Sequence, residues 1–122
     1  MIGSRLPPEY RRALSLLSRG KALSSTPLVR VACRLALKAV EEALDKHLSQ
    51  GSLTRLMRMK LLREAGRLDL RAAYADIALT ADELKAGECD LAEAEYLVEQ
   101  AGRLLRAIAG LGGCRLSSRR QA

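Results

Sequence analysis

The chain has 122 residues and a formal net charge of +7, with 21 Lys and Arg against 14 Asp and Glu. This length suits one domain, and a hydrophobic fraction of 48% is ordinary for a folded protein, which excludes a chain that is disordered throughout. Charges interrupt every apolar stretch, so none approaches the roughly 18 residues of a membrane span. The first ten residues lack the apolar region of a signal peptide, and the sequence therefore predicts a cytoplasmic protein.

The composition also limits the core and the cysteine chemistry. The core must be aliphatic, because the chain has no Phe and no Trp and only three Tyr. Asn is absent and ionic side chains are abundant, which fits a thermophile, although a GC-rich genome gives a similar bias and both readings stay open. Cys33, Cys89 and Cys114 share no metal-like spacing. We expect no metal site, no cofactor and no disulfide framework, with Cys33 as a small core residue.

The first two predicted helices meet at a polar turn. The first runs from about Pro8 to Arg19, with Gly20 as its stop. The second covers residues 26–49, with Thr26 as its N-cap and a proline next to it at the first helical position. The charges of this second helix lie on one strip, and the rest of its circumference is apolar and rich in small residues. It is predicted to be the central helix, with neighbours on several sides.

The third predicted helix is the most basic part of the chain. It covers about residues 53–65, with Ser52 as its cap and Gly66 as its end. Its apolar stripe is predicted to face the core and consists of Leu53, Leu56, Met57 and Leu61, interrupted by Lys60.

The last two predicted helices are amphipathic. The fourth starts at Asp69 and ends at Gly87. Its stripe comprises Leu70, Ala73, Tyr74, Ile77, Ala81 and Leu84. The fifth opens on the capping pair Asp90 and Glu93 and closes at Gly110. Its stripe comprises Leu91, Ala94, Leu97, Val98, Ala101, Leu104, Leu105 and Ile108.

These elements predict an all-α fold, since no segment alternates polar and apolar residues with a period of two. The short connections favour a compact bundle of four to five antiparallel helices around the central helix at about 26–49. We expect residues 1–110 to form a single bundle domain. Residues 111–122 are rich in Gly, Ser and Arg and are predicted to be a flexible basic C-terminal tail.

The charge is divided unevenly along the chain. Residues 1–67 carry 14 basic against 5 acidic side chains, a balance of +9, whereas residues 68–102 carry 2 against 9, a balance of −7. Residues 103–122 add five Arg and no acid. The basic and acidic parts are expected to neutralise each other within the bundle or across a dimer. The alternative is that the basic part faces a polyanion.

An unusual charge ladder lies on the predicted central helix. Arg30, Arg34 and Lys38 are spaced by four residues in its first half, and acids follow in its second half, which is the reverse of the order that the helix dipole favours. We expect an internal or intersubunit salt-bridge network to offset the cost, using acids of the fourth or fifth helix. An acidic protein partner or a nucleic-acid backbone is the alternative.

The third helix supplies the candidate nucleic-acid contacts. Five basic residues lie in or next to it: Arg55, Arg58, Lys60, Arg63 and Arg67. The scarcity of aromatic side chains argues against base stacking, so only non-specific phosphate contact to RNA or DNA is predicted.

Catalytic signatures are missing from the sequence. It has no Gly-rich phosphate loop, no nucleophile elbow and no zinc-protease motif, and no catalytic residue is assigned. His47 is the only histidine, and a structural or surface role is favoured for it. Tyr74 is interpreted as a core tyrosine with its hydroxyl at the rim. The alternative is a polar patch of Arg71, Tyr74 and Asp76 at a subunit junction.

Three segments carry a resemblance to a known family. The stretch ALKAVEEAL (36–44), the Arg71-x-x-Tyr74 pair and a last helix with A-x-x-L-V-x-x-A (94–101) resemble the HEPN domains (higher eukaryotes and prokaryotes nucleotide-binding). The resemblance spans about residues 8–109. It implies a bundle of four or five helices that dimerises and that belongs to a toxin–antitoxin system with a nucleotidyltransferase-type partner. Ribonuclease members carry Arg-x(4–6)-His, but here the window after Arg71, residues 76–78, holds no histidine.

Three functions remain in view after these observations. The first is a non-catalytic helical-bundle interaction protein of HEPN-like type that forms a homodimer and has no membrane segment. The second is a small basic RNA- or DNA-binding accessory subunit. The third is a HEPN-type ribonuclease built around Arg71.

Overall fold

The computed structural model describes residues 6–48, 51–87 and 90–113, and these ranges form five α-helices with no strand. The helices are α1 (Pro8–Leu23), α2 (Thr26–Leu48), α3 (Arg55–Glu64), α4 (Leu68–Ala86) and α5 (Leu91–Gly113). The all-α prediction is confirmed. None of the five helices is long and apolar enough to cross a membrane.

The second helix lies at the centre, as its wide apolar arc predicts. α2 contacts each of the other four helices. Its small residues Ala32, Ala36 and Ala39 are fully buried, which lets neighbouring helices approach closely. α2 and α4 run antiparallel, because Arg30 contacts the end of α4 whereas Glu41 contacts Tyr74 in its middle.

The junction of α1 and α2 differs from the prediction. α1 passes through Gly20 and ends at Leu23, and its C-cap Ser24 has a left-handed φ of 51°. A side chain at Gly20 would place its Cβ 2.8 Å from Cγ2 of Val29, so this glycine permits close packing of α1 on α2 and does not end the helix. Thr26 is the first helical residue, and the Oγ of Ser25 accepts from the N–H of Leu28 at 3.4 Å in the capping position.

The start of α3 also differs from the prediction, whereas its end agrees with it. Thr54, not Ser52, is the N-cap, and its Oγ1 accepts from the N–H of Met57 at 3.2 Å. At the other end Gly66 has a φ of 75°. Its N–H bonds to the carbonyl of Arg63, and the next N–H bonds to that of Leu62, which is the Schellman arrangement.

Burial confirms the stripes of α4 and α5 except at Leu91, which is 38% exposed. The core contains Tyr74, Leu44, Leu62, Ile77 and Leu97 as its largest fully buried side chains, together with Val40 and Val98. Contrary to the prediction, Asp69 is not the N-cap of α4, because the helix begins at Leu68 after Arg67 and Asp69 lies inside its first turn. Asp90 does cap α5, since its Oδ1 accepts from the N–H of Ala92 at 2.9 Å.

The end of α5 lies beyond the predicted boundary at residue 110. The helix continues to Gly113, so the first three residues of the predicted tail are helical. Residues 114–122, with the rest of that tail, lie outside the described residues, as do Cys89 and Cys114. Cys33 is buried as predicted, with its Sγ 4.0 Å from the carbonyl oxygen of Ala94.

Candidate functional site

A buried polar cluster joins α2, α3 and α4 around the guanidinium of Arg58. Its Nε donates to Oδ1 of Asp45 at 2.7 Å and its Nη2 donates to Oδ2 at 3.1 Å, a bidentate pair. Its Nη1 donates to the hydroxyl of Tyr74 at 3.0 Å and lies 3.3 Å from Oε2 of Glu41. Arg58 is only 7% exposed and Tyr74 is fully buried. The cluster is therefore shielded from solvent except at the carboxylates of Glu41 and Asp45.

The helical spacing explains how the cluster forms. Glu41 and Asp45 are four residues apart, so both carboxylates face α3 from α2. The Tyr74 hydroxyl donates to Glu41 at 2.7 Å, and Asp45 also accepts from the N–H of Leu53 at 3.3 Å, just before α3 begins. The guanidinium carbon of Arg58 lies 5.9 Å from the centroid of the Tyr74 ring, within the range of a cation–π contact. These contacts with α2 and α4 hold α3 in place.

The cluster shifts the pKa of Tyr74 and that of Arg58. Burial raises the pKa of Tyr74 to about 12, and the hydrogen bond to Glu41 adds to this, while Arg58 opposes it. Burial acts to lower the pKa of Arg58, but its hydrogen bonds to Asp45 and Tyr74 outweigh this and raise it. Arg58 is thus a permanent cation and Tyr74 a neutral donor over the ordinary pH range.

We expect Tyr74 to make the protein sensitive to alkali. Its pKa rises from 10.0 to about 12 on folding, so its contribution is complete below pH 10 and is lost as the pH rises through about 12. The two-unit difference corresponds to about 2–3 kcal/mol of unfolding free energy. Urea unfolding of the wild type and of Tyr74→Phe, followed by circular dichroism at neutral pH and at rising alkaline pH, measures this loss. Equal alkaline losses in both proteins would contradict it.

The nucleic-acid candidates do not form one surface. Arg58 is buried in the cluster, so its assignment as a surface contact is corrected. Arg55 pairs with Asp82 at 2.9 Å, and Arg67 pairs with Asp69 at 2.5 Å. The two remaining candidates, Lys60 and Arg63, are exposed. Sequence reasoning took Arg58 for a solvated charge because its partners are distant in the chain.

The charge ladder on α2 is offset in a way that the sequence did not indicate. Arg30 donates to the carbonyl of Leu84 and, at 2.9 Å, to that of Gly87, both at the carboxyl end of α4. These carbonyls carry the negative end of the helix dipole and need donors. Backbone groups of α4, and not its acids, therefore satisfy the first cation of the ladder. Arg34 and Lys38 are exposed and form no ion pair with the described residues.

Ion pairs connect the basic and acidic parts of the chain at the surface of the bundle. Besides Arg55–Asp82, the Nζ of Lys21 on α1 lies 2.6 Å from Oε2 of Glu95 on α5. Both pairs are exposed, so each contributes little to stability.

Arg71, Tyr74 and Asp76 do not lie together as a polar patch. The hydroxyl of Tyr74 is not at the rim but inside the cluster, and Asp76 is exposed on another side of α4, where it accepts from the hydroxyl of Tyr96. Arg71 is half-buried, and its Nε is a buried donor without a hydrogen-bond partner. The patch hypothesis is therefore wrong as a single surface.

His47 is exposed. It borders a cleft between α1, α2 and α5 whose lining does not include Arg71. Within the described ranges, no group of three or more His, Cys, Asp or Glu side chains is arranged to hold a metal ion.

Besides its acids Asp76, Asp82 and Glu83, the outward face of α4 carries exposed apolar residues, which sequence reasoning missed. Leu68 and Leu79 are each 58% exposed, and Ala72 between them is exposed as well. The opposite face of the same helix fills the core with Leu70, Tyr74 and Ile77. On the neighbouring α3, Leu56 is 82% exposed and Met57 is 43% exposed, so the predicted core stripe of α3 is wrong. The side of α3 that faces the core carries Arg58 and Leu62 instead.

Comparison of the chain with protein-family models, with curated proteins and with solved structures finds no match.

Proposed function

We propose that the protein is a non-catalytic helical interaction domain that forms a homodimer through the outward face of α4. The observation that carries the proposal is the second apolar stripe of this helix, Leu68, Ala72 and Leu79, opposite the stripe that fills the core. A helix that is apolar on both sides is typical of one that is covered on both sides. Exposed apolar side chains in one continuous stripe mark interaction surfaces more often than scattered ones do.

The spacing of the stripe suits a second copy of the same helix. With the half-buried Ala75, the stripe residues Leu68, Ala72 and Leu79 complete intervals of four, three and four residues, which is the repeat of a helix–helix seam. If two copies of α4 pair antiparallel about a two-fold axis, Leu68 of one lies against Leu79 of the partner subunit. Ala72 and Ala75 then lie at the middle, where small side chains let two helices approach closely.

The charges beside the stripe favour the same antiparallel arrangement. Exposed Lys60 and Arg63 lie on α3 near the start of α4, and exposed Glu83 lies near the end of α4. Antiparallel pairing brings Arg63 of one copy toward the partner subunit's Glu83, whereas parallel pairing brings like charges together. Such rim charges select the orientation and add little to affinity.

The proposal predicts that charge on the stripe produces a monomer. The wild type is expected to sediment as a dimer at high micromolar concentration, and Leu79→Lys as a monomer, because a buried unpaired ammonium is costly in an apolar seam. The matched control is Leu23→Lys on α1, where the leucine is 65% exposed and outside the stripe. Sedimentation equilibrium measures the mass, and circular dichroism verifies that each variant is folded.

Two results would contradict the homodimer. One is a wild type that stays monomeric at high micromolar concentration. The other is a wild-type dimer that Leu79→Lys leaves intact.

The resemblance to HEPN domains agrees with this proposal, because it implies dimerisation. The ribonuclease alternative requires a histidine separated from Arg71 by four to six residues, and residues 76–78 contain none. The nucleic-acid alternative retains Lys60 and Arg63 of its five candidates. Neither alternative is favoured by a contact within the described residues.

A further inference from the structure

A cleft lies where the short α3 stops covering the groove between α2 and α4. α3 has 10 residues, against 23 in α2 and 19 in α4. It covers the half of the groove that contains Glu41, Asp45 and Tyr74, through Arg58. The other half is open and forms a cleft of about 380 Å³. This volume is at the lower end of the range for small-molecule sites.

The walls of the cleft are cationic. They carry Arg30 and Arg34 from α2, Arg55 from the first turn of α3 and Lys85 from the end of α4, with Asp82 as the single lining acid. Four cations converge there from three helices. A concave surface lined by one sign of charge concentrates ligands of the opposite sign.

Two of these cations remain available to a ligand. Arg30 donates to the carbonyls at the end of α4, and Arg55 pairs with Asp82. Arg34 and Lys85 are exposed and have no ion pair within the described part of the chain. They belong to different helices, so an anion between them would bridge α2 and α4.

The floor of the cleft is apolar, in contrast to its cationic walls. A ligand that fits both has an anionic group and an apolar part. Leu37, Ala81 and Leu84 line it together with the buried Cys33. An inorganic anion alone would leave this floor uncovered, and a neutral apolar molecule would leave the cations unpaired. A dianion suits two separate cations better than a monoanion does, and the fork of an arginine matches phosphate oxygens.

We propose that this cleft binds a phosphate monoester that carries a small apolar or planar body. The phosphate lies between Arg34 and Lys85, and the body lies over Leu37 and Ala81. The site does not use the outward stripe of α4, so it stands independently of the homodimer. A free small molecule and the end of a nucleic-acid strand both offer this chemistry.

Phenyl phosphate is a direct probe, because it combines a phosphate monoester with a planar apolar ring. Isothermal titration of the full chain at low salt is expected to show saturable binding with one site per chain. Inorganic phosphate has only the anionic group and phenol only the ring, so each is expected to bind at least about tenfold more weakly. Absence of saturable binding of phenyl phosphate, or equal binding of phenol, would overturn the proposal.

Variants test whether binding occurs in the cleft. The double variant Arg34→Gln/Lys85→Gln is expected to weaken phenyl phosphate by about tenfold or more. Ala81→Leu is expected to weaken it without changing any charge, by filling the floor. The matched control is Lys38→Gln, an exposed cation one turn after Arg34 that does not line the cleft. Equal losses in the control and in the double variant would overturn the assignment.

Competition separates the two sources of the phosphate. If a short single-stranded RNA with a terminal phosphate displaces phenyl phosphate, the site accepts a strand end. If it does not, while the charge variants still weaken phenyl phosphate, the ligand is a free small phosphate monoester.

Discussion

Replacing Arg58 with methionine is expected to lower the free energy of unfolding by about 3–5 kcal/mol. The substitution keeps the length and the apolar stem of the side chain but removes the cation that both carboxylates face. Glu41 and Asp45 are then left without their guanidinium, and the Tyr74 hydroxyl loses one of its two partners. Urea unfolding followed by circular dichroism, at one protein concentration, measures the change.

Two further variants distinguish the lost pairing from the lost side chain. Arg63→Met is the matched control on the same helix, since Arg63 is exposed, and it should change stability by at most about 0.5 kcal/mol. The triple variant Arg58→Met/Glu41→Gln/Asp45→Leu should recover much of the loss, because the unpaired charges are removed as well. A loss in Arg58→Met no larger than that in Arg63→Met would show that the cluster contributes nothing.

Introducing a methyl group at Gly102 is expected to cost about 2–4 kcal/mol. A Cβ at this position on α5 would lie 2.4 Å from the hydroxyl oxygen of Tyr10 and 2.9 Å from its Cζ. Tyr10 is buried on α1, and its hydroxyl donates to the carbonyl of Val98 at 2.8 Å. The ring must therefore move, which separates α1 from α5 and breaks this hydrogen bond. Urea unfolding of Gly102→Ala against the wild type gives the value.

The same helix offers a control with the opposite sign. Nothing lies within 4 Å of a Cβ built at Gly110, so Gly110→Ala should be neutral or slightly stabilising, since alanine favours helix. In a Tyr10→Phe background, Gly102→Ala should cost less, because the closest atom is gone. If Gly102→Ala costs the same in the wild type and in the Tyr10→Phe protein, the cost does not come from contact with the Tyr10 hydroxyl.

The sequence predicted the helices whose contacts follow simple periodicity. The stripes of α4 and α5 are regular, and their members from Leu70 to Ile108 are almost all buried or half-buried. The central position of α2 followed from its wide apolar arc. Glycine was harder to interpret, because a helix stop and a close helix contact use the same residue. Gly66 ends α3, whereas Gly20 lies within α1 where it packs on Val29.

The inward side of α3 was not predictable from periodicity, because its most buried charged residue is an arginine. Arg58 interacts with Glu41 and Asp45 from α2 and with Tyr74 from α4, which are 13 to 17 positions away in sequence. A signal was present in the reversed charge order of α2. Two acids four residues apart in a half-buried position require a cation, but the sequence does not say which one. For the same reason, the sequence does not show that the apolar residues Leu56 on α3 and Leu79 on α4 face outward.

The shortness of α3 has a consequence for the motions of the molecule. A ten-residue segment is below the roughly 12–15 residues at which an isolated helix becomes marginally stable, so its helicity depends on what holds it. That support is the ionic cluster of Arg58 together with the buried Leu62 and the half-buried Met59, whereas each of the other helices contributes several buried residues to the core. We therefore expect α3 to open and reclose as a separate cooperative unit, at a lower free energy than global unfolding. Each opening would withdraw Arg55 from the cleft and expose Glu41 and Asp45 in the other half of the groove, so that both the size and the charge of the site vary with time.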